Sequence, residues 1–130
     1  MGRYRNAMKL TLDADPRVNL FRSYANGEVR VGEQILRSSC IVMADALDAS
    51  WPPRSVEELS AAHLEAIFRL QPQLVLLGTG ATQRFPAAAI RGAFAQRRIG
   101  LEVMDLGAAC RTFNLLVQEG RRVAAALLLA

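Results

Sequence analysis

Residues 72–129 read PQLVLLGTGATQRFPAAAIRGAFAQRRIGLEVMDLGAACRTFNLLVQEGRRVAAALLL, and the order of patterns in that stretch decides the fold. Residues 74–77 form an unbroken apolar run, as expected of a strand covered on both faces. Pro86 suits the first turn of a helix, where its missing N–H leaves no bond unmade. That helix is expected to reach Arg97 with Ile90, Ala93 and Phe94 inward, and Gly100 ends it. Residues 101–104 supply the next strand and residues 107–118 the next helix. Gly120 gives a left-handed stop, and residues 123–129 form a closing apolar strand. Strand–helix–strand crossovers are almost always right-handed and join parallel neighbours. The loop after Leu77 and the loop after Met104 therefore open on one carboxyl rim, where α/β proteins usually bind their ligands.

The first half has a different period. Residues 8–12 (MKLTL) alternate apolar and polar side chains, the mark of a half-buried strand, and residues 13–17, with Pro16, break it. Residues 19–24 and 28–31 flank Asn26-Gly27, a pair that accepts the positive φ of a tight hairpin. Gly32-Glu33 offers another turn, and residues 39–44 (SCIVMA) read as a fourth strand. Trp51-Pro52-Pro53 marks a boundary, because adjacent prolines fix the backbone and withhold donors. Ser55-Val56-Glu57-Glu58 fits a capping box, with Ser60 as a second start. Ala61, Leu64, Ile67 and Phe68 share one face of an amphipathic helix over residues 61–70. These patterns predict a single α/β domain over residues 1–130, with β hairpins followed by βαβαβ.

Composition narrows the function classes. Hydrophobic residues make up 52% and charged residues 22%, a globular balance that can bury a real core. The formal charge is +4, and every basic residue except Lys9 is arginine. Those arginines are scattered, with only Arg97-Arg98 and Arg121-Arg122 adjacent, whereas a nucleic-acid surface concentrates charge on one element. No nucleic-acid partner is expected. Cys40 and Cys110 lie far apart without metal-ligand spacing, and His63 is the sole histidine, so neither a metal nor a cofactor is expected. Free cysteines and the lack of a basic-then-apolar leader point to the cytoplasm. The longest apolar run, residues 123–130, is far short of the roughly twenty residues a membrane-spanning helix needs.

The rim supplies the candidate site. Gly78-Thr79-Gly80 follows a buried strand and precedes a helix, a setting in which backbone amides can face a small anion. A dinucleotide fingerprint requires glycine where Gln83 stands, and no Gly-Lys-Ser/Thr follows for a Walker-type loop. Asp105 has two roles open to it, N-cap of the following helix or rim carboxylate. Cys110 lies in the first turn of that helix, where the dipole would lower a thiol pKa. On a helical wheel, though, Ala109, Phe113, Leu116 and Val117 form the buried face, Cys110 sits at its margin, and Arg111, Asn114 and Gln118 point away. An inert thiol is the competing reading. Arg84 and Arg111 either neutralise a rim anion or are solvated surface arginines.

LVLLGTG (74–80), RFP (84–86), GLEVMD (100–105) and AACRTFNLLVQEGRRVAAALL (108–128) resemble a small family of single-domain proteins. That family is found in bacteria, archaea and eukaryotes, and it includes mitochondrial complex I assembly factor 3 and a human adipogenesis-associated protein. The resemblance covers essentially the whole chain, more loosely in the first half. It implies a three-layer α/β arrangement around a central mixed sheet. It also implies an interaction role in building the respiratory NADH dehydrogenase, without catalysis. Two positions depart from the family pattern: Leu106 stands where threonine commonly follows Met-Asp, and Phe113 where tyrosine is usual. Two functional expectations follow. The first is a non-enzymatic interaction or assembly module whose partner is a protein or a respiratory or membrane complex. The second is a small-anion or small-molecule binder, or an enzyme, using Gly78, Thr79, Gly80, Arg84, Asp105, Cys110 and Arg111.

Overall fold

The computed structural model describes residues 7–10 and 15–129. Strands β1 (Met8–Lys9), β2 (Phe21–Ala25), β3 (Glu28–Val31) and β4 (Gln34–Leu36) form an antiparallel sheet in the order β1-β2-β3-β4. Residues 11 and 12 of the expected first strand lie outside the described residues. Strands β5 (Cys40–Met43) and β6 (Ala46–Asp48) follow, then a 3-10 turn at Val56–Glu58 and helix α1 (Ala61–Phe68). The second half runs β7 (Leu74–Gly78), α2 (Ala88–Gln96), β8 (Gly100–Met104), α3 (Leu106–Gln118) and β9 (Val123–Leu127). It is the βαβαβ unit that the sequence predicts. The short strands β4 and β6 were not expected, since each has only three residues and neither alternates clearly.

The five strands of the second sheet are ordered β6-β5-β9-β7-β8. β9 lies at its centre, parallel to β7 and antiparallel to β5, while β7 and β8 are parallel. A fully apolar strand belongs there, because both its faces are dry and both its edges are paired. Alternation along β9 divides the core. Ala124 and Ala126 face a cluster with Ile41, Val75, Leu77, Leu64 and Ile67 of α1, and Phe94 of α2. Val123, Ala125 and Leu127 face a second cluster with Phe113 and Cys110 of α3 and Phe21, Val29 and Val31 of the small sheet. The molecule is therefore three-layered, with α1 and α2 on one face of the mixed sheet and α3 with the small sheet on the other. Three consecutive alanines in β9 leave room for bulkier residues from both outer layers.

Two connections depart from the expected reading for physical reasons. Trp51 and Pro53 are buried, and the Trp51 indole N–H donates to His63 O at 3.0 Å. The segment read as a boundary is thus pinned under the start of α1. Ser55 makes no side-chain cap bond; Glu58 Oε1 instead accepts from Arg54 N at 3.0 Å. At the start of α1 itself, His63 Nδ1 accepts from Ser60 N at 3.2 Å. That bond satisfies a backbone donor that the helix leaves orphaned.

Candidate functional site

The parallel strands β7, β8 and β9 end on one side at Gly78, Met104 and Leu127, so their exits form the expected rim. Antiparallel β5 starts there: Ser39 Oγ accepts from Leu129 N at 2.9 Å, continuing the ladder by a side chain. The tip of the β2–β3 hairpin, Asn26-Gly27, reaches over the same rim. A cleft of about 400 Å³ opens between that tip, Arg54, the Gly80 loop and buried Leu128 and Leu129. A second, of about 420 Å³, is lined by Tyr24, Asn26, Gly80, Asp105, Gly107 and Arg111. Asn26, Gly80, Ala81 and Leu106 border both, so the two clefts adjoin in a grooved rim.

Most of the polar atoms nominated from sequence are engaged inside the fold. Gly78 closes the end of β7, and a Cβ there would come within 2.7 Å of Leu127 Cδ2 and 3.1 Å of Ala109 Cβ. Its lack of a side chain serves the seating of α3 on the sheet. Thr79 Oγ1 donates to Thr82 O at 2.7 Å and accepts from Arg84 N at 2.9 Å, so the hydroxyl knots the loop. Gly80, at φ +90°, takes a backbone conformation that side chains disfavour, and its carbonyl accepts from Leu106 N at 2.8 Å. Asp105 Oδ1 accepts from Ala108 N at 2.9 Å as the N-cap of α3. Two of the amides that would form an anion nest at this helix start are therefore already bonded. Arg84 forms an ion pair with Glu57.

Cys110 corrects its sequence reading. It is fully buried, with 0% exposure, rather than marginal. Burial pushes its thiol well above the ordinary range, with nearby Cys40 adding to the rise and Arg111 opposing it weakly. Desolvation of the thiolate outweighs the helix dipole. Cys40 is likewise pushed up to about 12 by burial. Asn114 does not point away either. It is buried, its Oδ1 accepting from Phe21 N and its Nδ2 donating to Phe21 O, both at 2.8 Å. Phe113, the position where tyrosine was expected, is fully buried edge-on to Phe21 at 5.0 Å between ring centroids. A phenol there would have to find a partner in this apolar cluster.

The groove brings Thr79, Gly80 and Arg84 to one cleft and Gly80, Asp105 and Arg111 to the other; Gly78 and Cys110 line neither. Sequence reasoning missed Tyr24. Arg111 Nη1 donates to the Tyr24 hydroxyl at 2.6 Å, and the ring lies over Gly107, where a Cβ would meet it at 2.7 Å. Eighty-seven positions separate Tyr24 from Arg111, so no local pattern links them. The one available signal was a glycine in the first turn of a helix, a sign that another group passes close.

Comparison with known proteins shows where this architecture recurs. A Francisella tularensis "13 kDa major membrane protein" is 34% identical over 68 residues, covering 52% of this chain and 55% of that protein. NADH dehydrogenase [ubiquinone] 1 alpha subcomplex assembly factor 3 of Danio rerio is 32% identical over 108 residues, covering 82% of this chain and 62% of that protein. The chain thus spans between about half and two thirds of these relatives' length. Among solved structures, a Xanthomonas campestris protein is 42% identical, with a TM-score of 0.79 and 92% of each chain covered. A Bordetella parapertussis protein matches at 31% identity and a TM-score of 0.80, covering 87% of this chain and 97% of that one. An outer membrane protein from Bartonella henselae matches at 26% identity and a TM-score of 0.75, covering 88% and 97%. The model of the protein family of unknown function DUF498/DUF598 matches residues 21–128, from the first core strand to the end of the rim, and the chain belongs to that family.

Proposed function

We propose that this chain is a non-catalytic protein-interaction module that helps assemble a membrane-associated complex, with a respiratory NADH dehydrogenase as the foremost candidate. The observation that carries this reading is the similarity over 82% of the chain to a protein named for assembling that enzyme. The chemistry of the rim supports it. The Thr79 hydroxyl, one Asp105 oxygen and the Arg84 guanidinium are held in internal bonds, and the one thiol nominated as nucleophile is buried and un-ionised. A transferase or hydrolase needs a nucleophile and a base that reach substrate. Among the described residues no helix is long and apolar enough to cross a membrane. Two relatives nonetheless carry membrane names, which suits a module that works against a membrane complex. Two free, buried cysteines fit a reducing, cytoplasmic setting.

The direct test is the chain's own company in the cell. Tagged chain at native abundance, cross-linked and separated on a native gel, is expected in a heavy species containing subunits of a membrane complex. Recovery only as free chain, in both soluble and membrane fractions, would overturn the reading.

A second reading has one observation in its favour: each cleft falls in the volume range of small-molecule sites. A ligand present at a hundred times its dissociation constant would stabilise the fold by about 2.7 kcal/mol. A thermal-shift panel of nucleotides, phosphate and acyl compounds is expected to leave the melting temperature unchanged; a reproducible rise would favour small-molecule binding instead.

A further inference from the structure

We propose that the outer face of the small sheet binds a small organic phosphate monoester, through Lys9, Arg22, Ser23 and Arg30. The site shares no lining residue with the rim clefts and is independent of the interaction reading above. Lys9 pairs with Ser23 across β1 and β2, and Ser23 with Arg30 across β2 and β3. Directly opposed residues share a face, so these three stand in one row. Tyr24 and Val29, the next pair along, pack on the core cluster instead. Phe21 pairs with Val31 and Ser23 with Arg30, which leaves Arg22 as the extra residue of a bulge. A bulge re-aims a side chain out of the regular ladder. Arg22 thereby joins the row, and a cleft of about 500 Å³ gathers all four residues with Leu10 and Glu33. Leu10 N donates to Arg22 O at 3.0 Å, which holds the end of β1 beside the bulge.

The hydroxyl at the centre of the row is the second observation. Ser23 is only 7% exposed, yet its Oγ makes no hydrogen bond among the described residues. Glu28 Oε2 is the only sealed side-chain oxygen or nitrogen without a partner among those residues. The Ser23 hydroxyl therefore opens on the cleft that it lines. The charges around it choose the ligand. Lys9 and Arg22 have no ion pair among the described residues. Arg30 donates to Glu33 Oε1 at 2.9 Å and to Gly32 O at 3.0 Å, which fixes its guanidinium and leaves Nη1 to spare. Other arginines also lack a carboxylate; convergence on a buried hydroxyl sets these apart.

Three cations against one carboxylate leave two positive charges in the cleft. A phosphate monoester carries about two negative charges at neutral pH, with three strong acceptor oxygens. Those oxygens suffice for a guanidinium fork, the ammonium and the hydroxyl together, whereas a carboxylate offers one charge and two oxygens. The volume falls in the range of small-molecule sites, so room remains for an organic body. No aromatic residue lines the cleft, so a nucleotide base would find nothing to stack on. Glu33 Oε2, the oxygen not bonded to Arg30, can accept from a ligand hydroxyl, which favours a polyol or sugar body.

The test uses the whole chain and backbone amide NMR. The probes are glycerol 3-phosphate and glucose 6-phosphate, each beside its unphosphorylated parent, with inorganic phosphate and AMP for comparison. At least one ester is expected to shift Lys9, Arg22, Ser23 and Arg30 saturably while Gly80 and Arg111 stay in place. Inorganic phosphate, AMP and the parent alcohols should bind more weakly. Arg22→Gln should weaken the ester about tenfold and Ser23→Ala several-fold, since each removes a bond to a charged group. Neither side chain bonds within the fold, so both variants should melt as the parent does, and their spectra check that they fold. Arg91→Gln, an exposed arginine of α2 outside the cleft, should change nothing. No shift with either ester, equal binding of inorganic phosphate, shifts at the rim instead, or equal weakening by Arg91→Gln would each overturn the proposal. The cross-linked heavy species tests the interaction reading separately, so either can fail alone.

Discussion

Asn114 offers its amide to both backbone groups of Phe21 at 2.8 Å, acting as a strand partner supplied by a helix side chain. β2 shifts register between Phe21 and Ser23, so the backbone at this place departs from the regular ladder. Replacing Asn114 by Ala leaves a buried N–H and C=O without those partners. The expected loss is about 2–4 kcal/mol in urea unfolding, with no change in slope; a loss under half a kcal/mol would show that water substitutes for the amide. Asn114→Asp should be worse, because it removes the donor and puts a charge in an apolar cluster. The thiols give a pH signature. Both folded pKa values are raised by burial, to about 12 for Cys40 and upward for Cys110. The unfolded chain therefore ionises first as pH rises past about 8.5–9. Stability from the neutral thiols is complete below that point. It should fall by about 1.4 kcal/mol per pH unit for each thiol as pH climbs toward 12. Urea curves at several pH values above 8 measure this, and the double Cys→Ala variant should show a flatter decline.

At the scale of elements, the Thr79 hydroxyl knots the loop after β7 internally, while Gly80 O and Gln83 Nε2 tie that loop to Leu106 N and Val103 O. Thr79→Val keeps the shape and removes the bonds to Thr82 O and Arg84 N. It is expected to cost about 1–2 kcal/mol and to speed hydrogen exchange at Arg84 while α2 and β9 stay protected. Unchanged exchange at Arg84 would mean that the ion pair with Glu57 suffices to hold the loop. Elements with strong patterns were legible in sequence: the continuous apolar runs of β7 and β9, the amphipathic α1 and the Asn26-Gly27 hairpin. β4 and β6 were not, since three-residue strands owe their pairing to neighbours and not to their own pattern. The face of α3 was half legible. A helical wheel assumes one wet side, but α3 packs on both the mixed sheet and the small sheet, so Cys110 and Asn114 fall inside. The loop threonine and the cap were readable as a rim. Their internal bonds, and the reach of Tyr24 to Arg111, depend on contacts between distant parts of the chain.

For the whole molecule, α3 is clamped between two sheets and the polar loops gather at one end. That arrangement puts the clefts, with Arg54, Arg84 and Arg111 on their walls, at one end of the molecule, where the proposed interaction role would place its contact. Several relatives are named for assembling a respiratory complex, and the proposed function carries that role to this chain. The most direct measurement is the amount of fully assembled respiratory NADH dehydrogenase, read on native gels, in cells lacking this chain. Loss of the mature enzyme with accumulation of partial complexes, restored by the parent chain, is the predicted result. Normal levels of mature enzyme without the chain would contradict the account.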